Sequence, residues 1–226
     1  NNFDLISPQQ SICISKRLEQ WLLNHLQTCL HPIYLDLNLL PKGPTRGIMW
    51  QLREHLGSMP RSKVTTEISS ITRSDREALR SIGVRIQRQS IFVPRLLKPA
   101  AMLLRGMLFD LQHGRSGTPV PSEGRVSVPK EKNIPNDFYE AVGYRKLEKI
   151  AVRVDIIERV ATRAWELSKS GPFPTPIDLM NLIGCGPEEI KEVFKHLGYR
   201  YRKSKGRILF QRQKTIPIYA SRKSKK

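Results

Sequence analysis

The sequence predicts a mainly α-helical fold with short β-hairpins, in which a helical first lobe precedes a second lobe of the winged helix-turn-helix type. Apolar residues recur at helical spacing in several segments. Three of those segments end at a glycine that is followed by short alternating stretches typical of strands. Apolar residues make up 39% of the 226 residues, which favours folded domains over a disordered chain.

The first lobe is assigned to residues 1–113. Periodic apolar residues predict helices at 15–30, at 45–56 and at 72–82. A further helix that follows Pro94 is the most apolar of the chain, so we expect it to be central to this lobe. Between these helices, residues 84–94 predict two short strands joined by a tight turn.

A linker is predicted at residues 114–136, which contain four prolines and three glycines and have no helical period. The second lobe is assigned to residues 137–216. In it, Pro176 and Pro187 mark the starts of two short helices, which end at Gly184 and Gly198. A strand pair follows them, as in a helix-turn-helix with a wing. We expect residues 217–226 to be a disordered basic tail because they have no apolar anchor.

One local pattern occurs three times: a glycine, a strand start, a polar turn and an apolar return strand. It begins at Gly83, Gly143 and Gly198. Local helix–glycine–strand chemistry is our preferred interpretation, and three related winged units are the alternative.

The charge of the chain points to a polyanionic partner. The formal net charge is +19, with a pI near 10.3. From Tyr199 onward there are eleven Lys or Arg residues and no Asp or Glu. Nucleic acid is the first candidate for such a partner and an anionic membrane surface the second. No apolar run reaches membrane-spanning length. We expect nucleic acid, and not a membrane, as the partner.

The basic segment after Gly198 is predicted to be a folded hairpin. Tyr199, Tyr201, Ile208 and Phe210 alternate with charged or polar residues, which is the period of a strand pair with one inward face. Seven cations are the candidate phosphate contacts: Arg200, Arg202, Lys203, Lys205, Arg207, Arg212 and Lys214. Tyr199 and Tyr201 are candidates for base stacking, although core packing is expected for at least one of them.

No catalytic or metal-binding pattern is present. The sequence has neither a phosphate loop nor a nucleophile elbow, and the three cysteines have no metal or redox spacing. We therefore expect no catalytic residue, no metal site and no cofactor in this chain. The helix after Gly186 carries three glutamates on its outer face, which disfavours reading of bases in the major groove.

Six segments in order resemble the C-terminal region of alphaproteobacterial ATP-dependent superfamily 2 helicases, a group similar to the RNA helicase of the mitochondrial degradosome. They are TRGIMWQLREHLG, IGVRIQRQSIFVPRLLKPAAMLLRGMLFDL, RVSVPKE, DFYEAVGYR, AVRVDIIERV and LIGCGPEEIKEVFKHLGYR. The likeness covers roughly residues 15–202. It implies an ATPase motor upstream of Asn1, which would hold the ATP and Mg²⁺ of a helicase; the motifs of that motor are absent from these residues.

Three functions follow as hypotheses. The first is a nucleic-acid-binding accessory region of an RNA or DNA helicase, located in the cytoplasm and partnered by the upstream motor. The second is a docking module that joins the helicase to a nuclease or the ribosome. The third is a free-standing winged-helix DNA-binding protein, which the glutamate-rich helix disfavours.

Overall fold

The computed structural model describes residues 7–40, 43–204 and 207–213, which form nine α-helices and nine β-strands. The helices are α1 (Pro8–Cys29), α2 (Pro44–Glu54), α3 (Thr65–Ser70), α4 (Arg73–Ser81), α5 (Pro99–Gln112), α6 (Asn136–Ala141), α7 (Val154–Ser168), α8 (Ile177–Ile183) and α9 (Pro187–His196). The strands are β1 (Ser58–Pro60), β2 (Arg85–Ile86), β3 (Ser90–Phe92), β4 (Ser127–Pro129), β5 (Tyr144–Lys146), β6 (Ile150–Arg153), β7 (Phe173–Pro174), β8 (Tyr199–Ser204) and β9 (Arg207–Arg212). The prediction of a mainly helical fold with short hairpins is confirmed.

The strands form three small sheets with the same internal order. The orders are β1-β3-β2, β4-β6-β5 and β7-β9-β8, so the last strand of each trio lies in the middle. The glycine that precedes each hairpin has positive φ, at 92° for Gly83, 87° for Gly143 and 84° for Gly198. Only glycine adopts this conformation without strain, which explains why each helix can turn directly into a strand. The threefold sequence pattern thus corresponds to a threefold pattern of sheet topology.

The described residues divide into two compact units. The first comprises residues up to 124 together with 132–144, and the second comprises 125–131 together with the residues from 145 onward. The division predicted from the sequence placed residues 137–216 in the second domain, whereas helix α6 belongs to the first unit. The reason is packing: Phe138 of α6 meets Phe109 of α5 edge to face, with ring centroids 5.5 Å apart. The segment predicted as a linker also supplies β4, which pairs with β6.

A buried arginine helps to join α6 to the rest of the first unit. The guanidinium of Arg105 in α5 donates to the carbonyl oxygen of Leu96 (2.9 Å) and to Oγ of Ser58 (2.8 Å). Ser58 in turn donates to the carbonyl oxygen of Glu140 in α6 (2.8 Å). Burial lowers the pKa of Arg105 to about 9, so this side chain is still charged at neutral pH.

Helix α1 is longer and more exposed than the sequence predicts. It begins after Ser7, whose hydroxyl caps Gln10, so it starts well before residue 15. None of its residues is buried, and Trp21 is 61% exposed. Leu26 and Cys29 at its end pack against the core of the first unit. Most of the apolar face of this helix has no covering element within the described residues.

Candidate nucleic-acid interface

The β8–β9 hairpin is an ordered antiparallel pair whose register fixes two faces. Tyr201 lies opposite Phe210 and Arg202 lies opposite Leu209. Directly paired residues share a face, and neighbours along a strand alternate between faces. Tyr199, Tyr201 and Phe210 therefore occupy one face, and Arg200, Arg202 and Arg207 occupy the other. The predicted period of two is confirmed.

The inward face is anchored by an aromatic cluster formed with α9 and β7. Phe210 is fully buried, and its ring lies 4.4 Å from that of Phe194 and 6.0 Å from that of Phe173. Tyr199 is only 5% exposed and packs edge to face on Phe173 and Phe194, at 5.8 Å and 5.6 Å. Tyr199 is thus a core residue, in agreement with the expectation that at least one of the two tyrosines packs in the core. The cluster makes the hairpin part of the core of the second unit.

The outward face gathers three of the predicted phosphate contacts. Arg200, Arg202 and Arg207 are all exposed on this face. Within the described residues, none of the three guanidinium groups takes part in an ion pair. Three unpaired guanidinium groups on one flat surface can make forked hydrogen bonds to the oxygens of successive phosphates.

The remaining candidates divide differently from the sequence-based expectation. Lys203 and Arg212 are exposed, but the register places them on the face of Phe210 rather than beside Arg202. Lys203 lies close enough to Glu188 to contribute to the low pKa of that carboxylate, which is caused mainly by a hydrogen bond and charge attraction from Lys191. Lys205 and Lys214 lie outside the described residues.

Tyr201 is the aromatic residue of this hairpin that a base could reach. It is 49% exposed, and its ring lies 6.3 Å from that of Phe210, its cross-strand partner. The ammonium of Lys191 in α9 lies 5.5 Å from the centre of the ring. A half-exposed aromatic ring can stack on a base, whereas the ammonium of Lys191 is paired with Glu188 and its side chain is largely buried. Lys191 is a residue that the sequence analysis did not select.

Helix α9 supports the hairpin. Ile190, Val193 and Phe194 form its buried face. Two of its outer carboxylates are engaged locally: Glu188 accepts a hydrogen bond from Lys191 (2.5 Å), and Glu192 accepts one from the backbone N–H of Lys149 (3.1 Å). These contacts keep the carboxylates engaged on α9. Of the two elements, α9 and the hairpin, the hairpin is therefore the cationic one.

A second cationic surface, which the sequence analysis missed, lies in the first unit. Four arginines line a groove of about 360 Å³ between α4 and β2: Arg73, Arg76, Arg80 and Arg85. The sequence analysis did not select these arginines, because the sequence does not show that β2 folds back along α4. The helical spacing of Arg73, Arg76 and Arg80 was the available signal.

The described residues contain neither a metal-binding cluster nor a membrane-spanning helix. Among residues 7–40, 43–204 and 207–213, no three His, Cys, Asp or Glu side chains are grouped so as to hold a metal ion. In the same ranges, no helix has both the length and the apolar character needed to cross a bilayer.

Comparisons with models of protein families, with curated proteins and with solved structures found no match.

Proposed function

We propose that this chain is a nucleic-acid-binding accessory region of an ATP-dependent RNA or DNA helicase, which grips the phosphate backbone through the β8–β9 hairpin. The observation that carries the proposal is the outward face of the hairpin, where Arg200, Arg202 and Arg207 lie together without an ion-pair partner among the described residues. The net charge of +19 supports a polyanionic partner. The motor itself, with its ATP and Mg²⁺, is expected upstream, on the resemblance alone.

The second unit is proposed to be a winged helix. After strands β4, β5 and β6, its elements run α7, β7, α8, α9, β8 and β9, and β7 pairs with β9 on the side opposite β8. This order of helix, strand, two helices and hairpin supports the assignment, with β8–β9 as the wing. In the proposed arrangement the wing contacts phosphates and α9 buttresses it, so binding depends on charge and little on base sequence.

The test is a triple variant of the outward face, Arg200→Ala/Arg202→Ala/Arg207→Ala. Single-strand binding loses about 0.7 in the slope of log K against log salt for each phosphate contact removed. Three contacts give a slope change of about 2 and an affinity loss of about 100-fold at 0.1 M salt. Fluorescence anisotropy with labelled 30-mers of oligo(U) and oligo(dT) measures both quantities across a salt series.

A matched control removes three exposed cations elsewhere in the second unit: Arg159→Ala/Arg163→Ala/Lys195→Ala. It changes the net charge by the same amount and is expected to leave the slope nearly unchanged. Equal losses in the two triple variants would show that total charge, and not the hairpin, governs binding. Wild-type affinity in the hairpin variant would refute the proposed grip.

Protein docking is a second candidate function, favoured by the exposed apolar stripe of α1. Ile14, Leu18, Trp21 and Leu22 are all exposed on this helix. The proposed partner is the helicase motor. We expect Leu18→Glu/Trp21→Glu to abolish nuclease-resistant association with the purified motor, while Lys16→Glu, on the polar side of α1, leaves it intact. Association that survives the double variant would refute docking through α1.

A further inference from the structure

The first unit carries a groove whose arginines belong neither to the β8–β9 hairpin nor to the hydrophobic core. Arg73, Arg76 and Arg80 project from α4, and Arg85 lies across from them on β2. Their spacing of three and four residues places the three α4 side chains on one helical face. The groove has a volume of about 360 Å³. It is therefore an open trough lined by cations on both sides.

We infer that this groove is a second binding site for the phosphate backbone of a single nucleic-acid strand. The inference rests on the proposed function only for the choice of nucleic acid as the polyanion. At 1.5 Å per residue, Arg73 and Arg80 are separated by roughly 10 Å along the helix axis. A stacked strand advances about 3.4 Å per nucleotide. The row of guanidinium groups therefore spans roughly three nucleotide steps of such a strand.

The charge balance of the groove favours an anion. Its one carboxylate, Glu77, pairs with Arg73 at 3.0 Å, and both side chains are largely exposed. An exposed pair of this kind contributes little and can be exchanged for a phosphate. Asp75, the other acid of α4, is occupied in capping: it accepts hydrogen bonds from the N–H of Thr72 (2.9 Å), from the hydroxyl of Thr72 (2.7 Å) and from Thr45 (3.1 Å).

The arginines have donors left for a ligand. Arg76 uses one nitrogen to donate to the carbonyl oxygen of Ile68 (3.0 Å), and Arg85 reaches the carbonyl oxygen of Arg80 at 3.4 Å. The side chain of Arg80 makes no hydrogen bond or ion pair within the described residues. The contact of Arg76 fixes its guanidinium at the groove, which lowers the entropy lost when a phosphate binds.

The chemistry of the lining fits phosphate better than an acidic peptide. Val84 is buried and Ile86 is half-buried, so the groove lacks an exposed apolar anchor for a peptide side chain. Four guanidinium groups instead provide forked donors suited to phosphate oxygens. Helix α4 precedes the β2–β3 hairpin just as α9 precedes β8–β9. The cations lie mainly on the helix in the first unit and on the hairpin in the second.

The test is Arg73→Gln/Arg80→Gln, which keeps good helix formers in α4. Loss of two single-strand phosphate contacts is expected to lower the salt slope by about 1.4, which is about 25-fold in affinity at 0.1 M salt. Glu77→Gln is expected to act in the opposite direction, because it removes the carboxylate that competes with phosphate for Arg73. Arg159→Gln/Arg163→Gln is the charge-matched control. The probes are the labelled oligo(U) and oligo(dT) 30-mers, and circular dichroism verifies folding.

Comparing the salt slopes of the groove variant and the hairpin variant separates this inference from the proposed function. A slope that falls only in the groove variant supports the groove and refutes the hairpin grip. A slope that falls only in the hairpin variant overturns the groove and leaves the grip intact. If the groove variant loses binding to polyglutamate but keeps wild-type binding to both oligonucleotides, the groove is a peptide site and the inference is overturned.

Discussion

Removing the ring of Phe210 is expected to disorder the hairpin without removing a charge. Phe210 is fully buried against Phe194 and Phe173. Truncation of a buried phenylalanine costs about 3 to 5 kcal/mol through lost burial and the cavity that remains. That cost is a large fraction of the stability of a small domain, which is typically about 5 to 15 kcal/mol. Phe210→Ala should therefore release β9 and the outward arginines that depend on its register.

Hydrogen exchange of the 199–212 peptide, followed by mass spectrometry, measures this effect. A loss of about 3 kcal/mol corresponds to exchange roughly 100-fold faster or more. Tyr201→Ala is the matched control, because it removes the cross-strand partner of Phe210 from a half-exposed position and should cost at most about 1 kcal/mol. Unchanged protection in Phe210→Ala would refute the aromatic anchor. Lost protection with wild-type oligonucleotide affinity would refute the need for an ordered hairpin.

Three further predictions concern the first unit. The free energy of unfolding of Arg105→Met, measured in urea, should stay within about 1 kcal/mol of the wild type, because the variant removes a buried charge and keeps the side-chain volume. Arg105→Ala should lower that free energy by about 3 kcal/mol or more. Equal costs for the two variants would contradict tight packing around this side chain. Hydrogen bonds from the hydroxyl and the N–H of Thr118 lower the pKa of Asp110. The stabilising effect of this carboxylate is therefore present above its unfolded pKa of about 3.9 and is lost as pH falls through the folded pKa. Asp110→Asn should weaken the acid dependence of the melting temperature between pH 2 and 6, and an unaltered dependence would contradict this assignment. Gly57→Ala should lower the melting temperature because Gly57 has φ of 97° and an added methyl would press on Leu96, and an unchanged melting temperature would contradict that strain.

The alternation of Tyr199, Tyr201 and Phe210 was enough to predict a hairpin with one inward face, because strand periodicity is a local property of sequence. The faces of Lys203 and Arg212 follow from the same alternation, which places Lys203 with Tyr201 and Arg212 with Phe210; both were selected as phosphate contacts on charge alone. The burial of Tyr199 beside Phe173 depends on a strand located far away in the chain.

The limits of pattern reasoning are similar elsewhere. The apolar stripe of α1 was evident, but amphipathicity does not indicate whether another element covers it. The predicted boundary followed the prolines and glycines, which mark irregular backbone, whereas the packing of Phe138 against Phe109 groups helix α6 with the first unit. The arginine groove needed β2 to lie against α4, which is again a tertiary contact.

The most direct test of the central claim is the location of a bound strand on the protein. Photo-crosslinking of the whole chain to a 30-mer that carries 4-thiouridine, followed by peptide mass spectrometry, identifies the residues in contact. The account predicts cross-links within residues 199–212, centred on the outward arginines Arg200, Arg202 and Arg207. Efficient cross-linking elsewhere, with none in this hairpin under conditions where the oligonucleotide is fully bound, would contradict it.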